Sequence, residues 1–264
     1  MKKGSTKFVT EKEVLPTYPR TLHLPWKANA ARGDLVADLK DCGVIFTSDF
    51  LSVDEKIDGA NCGMVLIDKE PIIRNRDHIL RKGYSKDTPA KQQFKSVWTW
   101  FYAHRDQFEL LASVGPYSVY GDWMVAQHGL EYNRLPSLFM TYDLFDHDAG
   151  KWVDSHKSKE ILKACGFCTV PEVHRGPLDS WEQLEAMANQ PSPFTDLGHR
   201  EGLYLKVSDG RWVTHRFKMV RESFKQGALW SETEIKRNTV VKEDSDADGR
   251  GETQLHGDDL VQEA

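Results

Sequence analysis

Lys56 stands in the stretch EKIDGANCG, with Glu55 directly before it and Asp58-Gly59 just after. A lysine amine attacks an electrophile only after losing its proton, which neighbouring cations or desolvation can bring about. A lysine beside an Asp-Gly turn is more often a solvated charge, and K-x-D-G alone does not separate the two readings. Further residues suited to phosphate, ring or metal chemistry follow in order: Arg74 and Arg76 in RNRDHILRKGY, Asp122 in YGDW, Tyr142 and Asp143 in FMTYDLFD, Glu201 and Lys206 in EGLYLK, Arg216 and Lys218 in HRFK. Each has a plain counterpart. Tyr142 reads equally as a core aromatic, Asp122 as a turn cap beside Trp123, and Arg216 with Lys218 as one solvated strand face.

Taken together over residues 50–230, these blocks resemble the covalent nucleotidyltransferase superfamily of ATP-dependent DNA ligases, RNA ligases and mRNA-capping guanylyltransferases. GDWMVAQHGLEYNRLPSLFMTYDLFD, with a His, a Tyr and Leu-Pro between the acid and the aromatic-Asp pair, and RFKMVRESFKQ are similar to the RNA ligases that keep their activity in one small adenylyltransferase domain. The resemblance implies an ATP-grasp-like α+β fold of antiparallel sheets flanked by helices, with ATP between the sheets. It implies a ping-pong reaction in which Lys56 takes AMP from ATP, passes it to an RNA 5′-phosphate, and a 3′-hydroxyl displaces it. Two alternatives use or descend from the same chemistry: a minimal DNA ligase or GTP-using capping-type enzyme, and a catalytically silent nucleic-acid-binding protein.

By the same resemblance Glu55 accepts from the adenine amino group and Tyr142 stacks on the ring. Asp58, Arg76 and Asp122 engage the ribose or organise the pocket, and Gly59 lets backbone approach the nucleotide. Glu201 is the candidate ligand for Mg²⁺, with Mn²⁺ as a substitute, and Lys206, Arg216 and Lys218 stabilise phosphate charge. Two positions depart from the family pattern: Asp122 where glutamate is common, and Arg216 where lysine is usual. The basic run Arg74, Arg76, Arg81, Lys82, Lys86, Lys91 and Lys95, with Tyr84, is either a path for an RNA backbone or a solvated face. Arg74, Arg81, Lys82 and Lys86 are its candidate RNA contacts.

The elements that must position these residues can be read from period and punctuation. Residues 60–75 alternate small, apolar and polar residues as far as Pro71, the pattern of a strand, a turn and a second strand. Thr88 and Pro89 open an amphipathic helix whose apolar positions are Phe94, Val97, Trp98, Phe101, Phe108 and Leu111. YSVYGDW and LFMTYDLFD read as strands, 155–165 and 179–189 as helices. EGLYLKV and RWVTHRFKMV form a hairpin turned at Ser208-Asp209-Gly210. Residues 1–34 read as loop and short turns leading to a strand or two. Antiparallel strands with helices between them indicate α+β architecture.

Composition bounds the rest. The chain has 264 residues, 39% hydrophobic and 28% charged, enough for a full core. It carries no apolar run of membrane length and no signal-peptide pattern, so a location in the cytoplasm, or in a host's cytoplasm if the source is viral, is the expectation; a monomer is expected as well. Cys165 and Cys168 form a lone C-x-x-C at a helix C-terminus, which favours buried structural thiols over zinc or redox chemistry. The net charge of −5 divides unevenly: residues 243–264 hold eight acids against Arg250, leaving a mildly basic body. An adenylyltransferase domain over 1–230 and an acidic, disordered tail from about 243 follow, with no room after Lys218 for an OB-fold. Asp244, Asp246, Asp248 and Gly249 imitate half a calcium loop, but Leu255 occupies the place of its bidentate glutamate.

Overall fold

The alternation over residues 60–75 is realised, in the computed structural model of the chain, as a hairpin turned by Asp68 and Lys69 at φ of 49° and 67°. The structure describes residues 15–26, 30, 34–82, 89–227, 230, 234–241 and 254–255. In chain order the strands are β1 (Leu22–His23), β2 (Leu51–Lys56), β3 (Ala60–Ile67), β4 (Glu70–Asn75), β5 (Tyr117–Trp123), β6 (Phe139–Asp146), β7 (Lys151–Trp152), β8 (Glu172–Arg175), β9 (Gly202–Ser208), β10 (Val213–Val220), β11 (Val240–Val241) and β12 (Gln254–Leu255). The helices are α1 (Pro89–Gln92), α2 (Val97–Ala103), α3 (Arg105–Val114), α4 (Ser155–Ala164) and α5 (Trp181–Ala188), and a 3-10 helix spans Leu39–Phe46.

One sheet has the order β1-β10-β9-β2-β8, antiparallel but for β1; the other, β4-β3-β5-β6-β7, is antiparallel throughout. Period-2 alternation sorts each strand's residues between two faces. Leu51, Val53, Leu205 and Phe217 of the first sheet turn outward to pack with Ile45 of the 3-10 helix and Leu184 of α5. Cys62, Met64 and Val119 of the second pack outward against Phe101, Phe108 and Leu162. The inner faces meet through polar residues, and the candidate site lies there.

The expected amphipathic helix breaks into α1, α2 and α3, though its apolar positions still share one core. Side chains compete for its backbone groups at the breaks: Trp123 Nε1 donates to the Gln93 carbonyl, and His104 Nδ1 lies 2.8 Å from the Trp100 carbonyl. Thr88, its expected cap, lies outside the described residues, as do Tyr84 and Lys86. The later helices are capped as their sequences suggest, Asp154 accepting from Lys157 N and Ser180 from Gln183 N. Pro71 is tolerated because β4 is an edge strand. Cys42, Cys62 and Cys165 are buried free thiols. Among the described residues no helix is long and apolar enough to cross a membrane.

Arg74 corrects one expectation. It is 3% exposed, and its guanidinium donates to the Leu15 carbonyl (2.7 Å), Thr17 Oγ1 (2.8 Å) and the Asn75 carbonyl (3.0 Å). It ties the N-terminal segment to β4 and is not presented to RNA. The acidic tail lies outside the described residues except for β12, which pairs with β11.

Candidate active site

Lys56 is the last residue of β2 and sits opposite Gly202 on β9. Its Nζ donates to Glu201 Oε2 at 2.6 Å. The chain then turns through Ile57-Asp58-Gly59 under a tight clasp from residues 124–136. Asp58 N donates to the buried Tyr132 hydroxyl (2.8 Å), and Gly129 N donates to Asp58 Oδ2 (2.5 Å). Gly59 is required here, since a Cβ would lie 2.4 Å from Met124 Sδ and 2.9 Å from Asp122 Cβ. Its close approach is therefore to β5 and the residue after it. Gly59 also borders the cavity beside Lys56.

A cavity of about 330 Å³ opens between the sheets beside Lys56, and Glu55, Arg76, Asp122, Tyr142, Lys206 and Lys218 all border it. Two of its walls are aromatic: the Tyr142 and Tyr204 rings lie within 16° of parallel with centroids 6.3 Å apart. Asn61 Nδ2 donates to the Tyr142 hydroxyl, and Thr21 hydrogen-bonds the Tyr204 hydroxyl, so both rings are fixed. Asn61 Oδ1 is buried without a hydrogen-bond partner, whereas the buried Glu55 carboxylate faces Ser192 and Arg200, whose Nε lies 3.9 Å from Oε2. Buried acceptors left empty carry a desolvation cost that a donor on a ligand would offset. Tyr204, Asn61 and the N-terminal Arg20 and Thr21 were not anticipated as lining residues.

The family model described as RNA ligase matches residues 49–226. The chain belongs to the RNA ligase family. Among solved structures it is similar to Naegleria gruberi RNA ligase: 18% identity and a TM-score of 0.53 to an apo mutant, over 70% of this chain and 52% of that one. A mutant with AMP and Mn gives 18% and 0.51 over 70% and 53%, and the ligase with pyrophosphate gives 21% and 0.50 over 66% and 50%. At these identities the likeness is one of fold, and the chain spans about half the length of the ligases it matches. No curated protein sequence matches it.

Within this family member the predicted site residues divide into groups. Lys218 borders the main cavity and a second one beside it, and its Nζ is paired with Asp34 at 2.9 Å. Lys206 reaches the first cavity's wall, but its ammonium donates to Asp143 Oδ1 (2.7 Å) and lies 3.2 Å from Asp54 Oδ2. Arg216 does not border the cavity. Its guanidinium lies behind it, 3.4 Å from Asp143 and over the Trp152 and Tyr18 rings, so the expected phosphate contact is replaced by a structural one. Asp58 likewise borders the second cavity and not the tyrosine slot. Arg81 and Lys82 are exposed beside a groove with Trp98 and Tyr102, Lys82 Nζ standing 4.8 Å from the Tyr102 ring.

Burial pushes Asp122 up to about 6, with Lys56 and Arg76 opposing it and Asp58 adding to it. Burial also pushes Glu201 up to about 8, Lys56 opposing, Asp58 and Asp122 adding. For Lys56 burial favours the neutral amine, but Glu201, Asp58 and Asp122 outweigh it and hold the amine above its ordinary range. Lys56 is therefore held as the ammonium that donates to Glu201. The neutral amine that attack requires is therefore not the form these surroundings favour by themselves. Among the described residues no three His, Cys, Asp or Glu side chains form a metal cage. Glu201 with the neighbouring acids fits a hard cation whose remaining ligands come from substrate phosphates, as magnesium prefers.

Proposed function

We propose that the chain is an ATP-dependent RNA ligase that seals 5′-phosphate and 3′-hydroxyl ends, acting as a cytoplasmic monomer on nicked duplex RNA or an RNA–DNA hybrid. One observation carries the reading: Lys56 borders a cavity walled by two near-parallel tyrosines, with the unpartnered buried Asn61 Oδ1 on the same lining. The near-parallel Tyr142 and Tyr204 rings offer stacking faces for a planar base, and the buried Asn61 Oδ1 suits the amino group of adenine. Arg20, Arg76 and Lys218 supply positive charge along the same cavity.

In this reading the Lys56 nitrogen forms a bond to the α-phosphorus, the bond to the bridging oxygen breaks, and pyrophosphate leaves. The lysine proton departs before or during attack, which requires Glu201 to release its 2.6 Å contact. A divalent cation held at Glu201 would supply the charge that neutralises the phosphates and competes with the lysine for that carboxylate. AMP then passes to an RNA 5′-phosphate oxygen, and a 3′-hydroxyl attacks that phosphate and releases AMP.

Incubation with α-labelled ATP and Mg²⁺ is expected to leave label on the protein. No label from either ATP or GTP removes the reading, label from GTP alone indicates capping chemistry, and preferential sealing of nicked DNA indicates a DNA ligase. Tyr204→Ala is expected to raise KM for ATP by roughly 5- to 150-fold, since one stacked face contributes about 1–3 kcal/mol. Steady-state labelling against ATP concentration measures it. Replacing Arg81 and Lys82 by alanine is expected to weaken RNA binding and reduce the slope of log Kd against log salt by about one to two, read by fluorescence anisotropy.

A further inference from the structure

Residues 124–138 join β5 to β6 without a helix or a strand of their own, so the shape of the clasp depends on what its backbone groups bond. Residues 236–241, well past Lys218 in sequence, run as a strap between its two limbs. On one limb Gln127 N donates to the Lys236 carbonyl (2.9 Å), Gln127 Nε2 to that of Arg237 (2.9 Å), and Asn238 N to that of Val125 (3.1 Å). On the other, Thr239 N donates to the Tyr132 carbonyl (2.9 Å), Leu135 N to that of Thr239 (3.2 Å), and Val241 N to that of Leu135 (2.9 Å).

Asn238 joins the limbs through its side chain and is 4% exposed. Its Oδ1 accepts from Tyr132 N (2.9 Å), while its Nδ2 donates to the Met124 carbonyl (2.8 Å) and the Ala126 carbonyl (3.1 Å). A carboxamide carries an acceptor on one side and two donors on the other, and here each meets its complement. What the limbs carry is the turn after the nucleophile. The Tyr132 hydroxyl accepts from Asp58 N, and Gly129 N, between the limbs, donates to Asp58 Oδ2. Ile57, which directly follows Lys56, is buried in one cluster with Met124, Tyr132 and Leu135, and Val240 of the strap packs on that cluster.

Building on the ligase reading, we propose that Asn238 is a positioning residue for lysine adenylylation. By spanning the clasp it fixes the Ile57-Asp58-Gly59 turn, and with it the line along which the Lys56 amine meets the α-phosphorus. Asn238 does not border the nucleotide cavity and acts only through Tyr132 and Met124. Binding of the nucleotide is a separate matter, because Tyr142 and Tyr204 are held independently, by Asn61 and Thr21. A misplacement near 1 Å at a reacting group costs about a hundredfold in rate, which sets the size of the effect.

The test is single-turnover labelling of the full chain by α-labelled ATP, with the maximal rate and the half-saturating ATP concentration obtained separately. Asn238→Ala is expected to lower the maximal rate by roughly 10- to 100-fold and to move half-saturation by less than about threefold. Asn238→Asp keeps the size of the side chain but sets a carboxylate oxygen against the Met124 and Ala126 carbonyls, so it should lose at least as much; a residue that only filled space would tolerate it. Tyr132→Phe removes the hydroxyl alone and should slow labelling about tenfold, a loss that should not multiply with that of Asn238→Ala because both act on one turn. Ser180→Ala, which uncaps α5 on the outer face of the first sheet, is the control for lost stability and should label at the wild-type rate. Wild-type rates in Asn238→Ala or Asn238→Asp, a loss confined to half-saturation, losses that multiply in the double variant, or a comparable loss in Ser180→Ala would each overturn the assignment. If neither Asn238 variant folds, Tyr132→Phe decides: slower labelling at unchanged half-saturation supports the assignment, and an unchanged rate overturns it. Absence of label in the wild type removes the ligase reading itself, whereas wild-type labelling with an unaffected Asn238→Ala rate removes only the positioning role.

Discussion

Lys56→Ala is expected to reduce covalent label from α-labelled ATP to background, a loss of at least about 10³-fold. The lost amine borders the tyrosine-walled cavity and lies against Glu201. The slot walls do not depend on it, since Tyr142 is held by Asn61 and Tyr204 by Thr21. Non-covalent ATP binding, measured by equilibrium dialysis, should therefore change far less than labelling. Lys56→Arg is the sharper control. It keeps a cation near Glu201, but a guanidinium does not deprotonate near neutrality and should also give no label. The wild-type rate should rise with pH between about 6 and 9, because Glu201, Asp58 and Asp122 hold the amine protonated above its ordinary range. Retention of more than a few per cent of the label by Lys56→Ala would show that another nucleophile carries AMP.

Residue type and order made Lys56, Asp122, Tyr142 and Glu201 legible as one constellation, and the structure brings all four together. What sequence could not show was which member of a like-charged pair faces the opening. Arg74 and Arg76 are two residues apart, yet one meets the Leu15 carbonyl and Thr17 while the other borders the cavity. Lys206 and Lys218 share the inner face of adjacent strands and both border the main cavity, but Asp143 and Asp54 hold the first while Asp34 holds the second, which also reaches the neighbouring cavity. Such differences depend on what the second sheet and the N-terminal segment place opposite, at sequence separations no local period records. Tyr204 was hidden for another reason. In EGLYLK it reads as one more strand aromatic, and only the Tyr142 ring lying parallel to it marks a slot. The strands around the site were legible because their alternation is strong. The amphipathic helix was legible as a face and not as a length, because its breaks are made by Trp123 and His104 side chains bonding its carbonyls.

Asp143→Ala is expected to be the most destabilising single change at the site, costing about 3–5 kcal/mol and lowering Tm by roughly 6–20 °C. Asp143, on β6, accepts from Lys206 of β9 (2.7 Å) and from Tyr18 (2.6 Å), and Arg216 of β10 lies 3.4 Å away. It therefore fastens the second sheet to the first and to the N-terminal segment beneath the cavity. Its removal leaves Lys206 and Arg216 buried, with Asp54 already ion-paired to Lys159. The pH dependence should distinguish this from a simple packing defect. Asp54 is depressed despite burial because Lys159 and Lys206 face it, so its stabilisation is complete above the ordinary 3.8 and is lost as pH falls through the lower folded value. Lys206 is raised, against burial, by Asp143 and then Asp54, so its stabilisation is present below the ordinary 10.5 and is lost as pH rises through the higher folded value. Alanine at 143 removes the larger of those two attractions, and the alkaline loss of stability should begin at lower pH than in the wild type. Thermal melts of both proteins across acid and alkaline pH measure it. A uniform drop in Tm with no shift of the alkaline limb would mean that Asp143 packs the two sheets together without supporting the charge on Lys206.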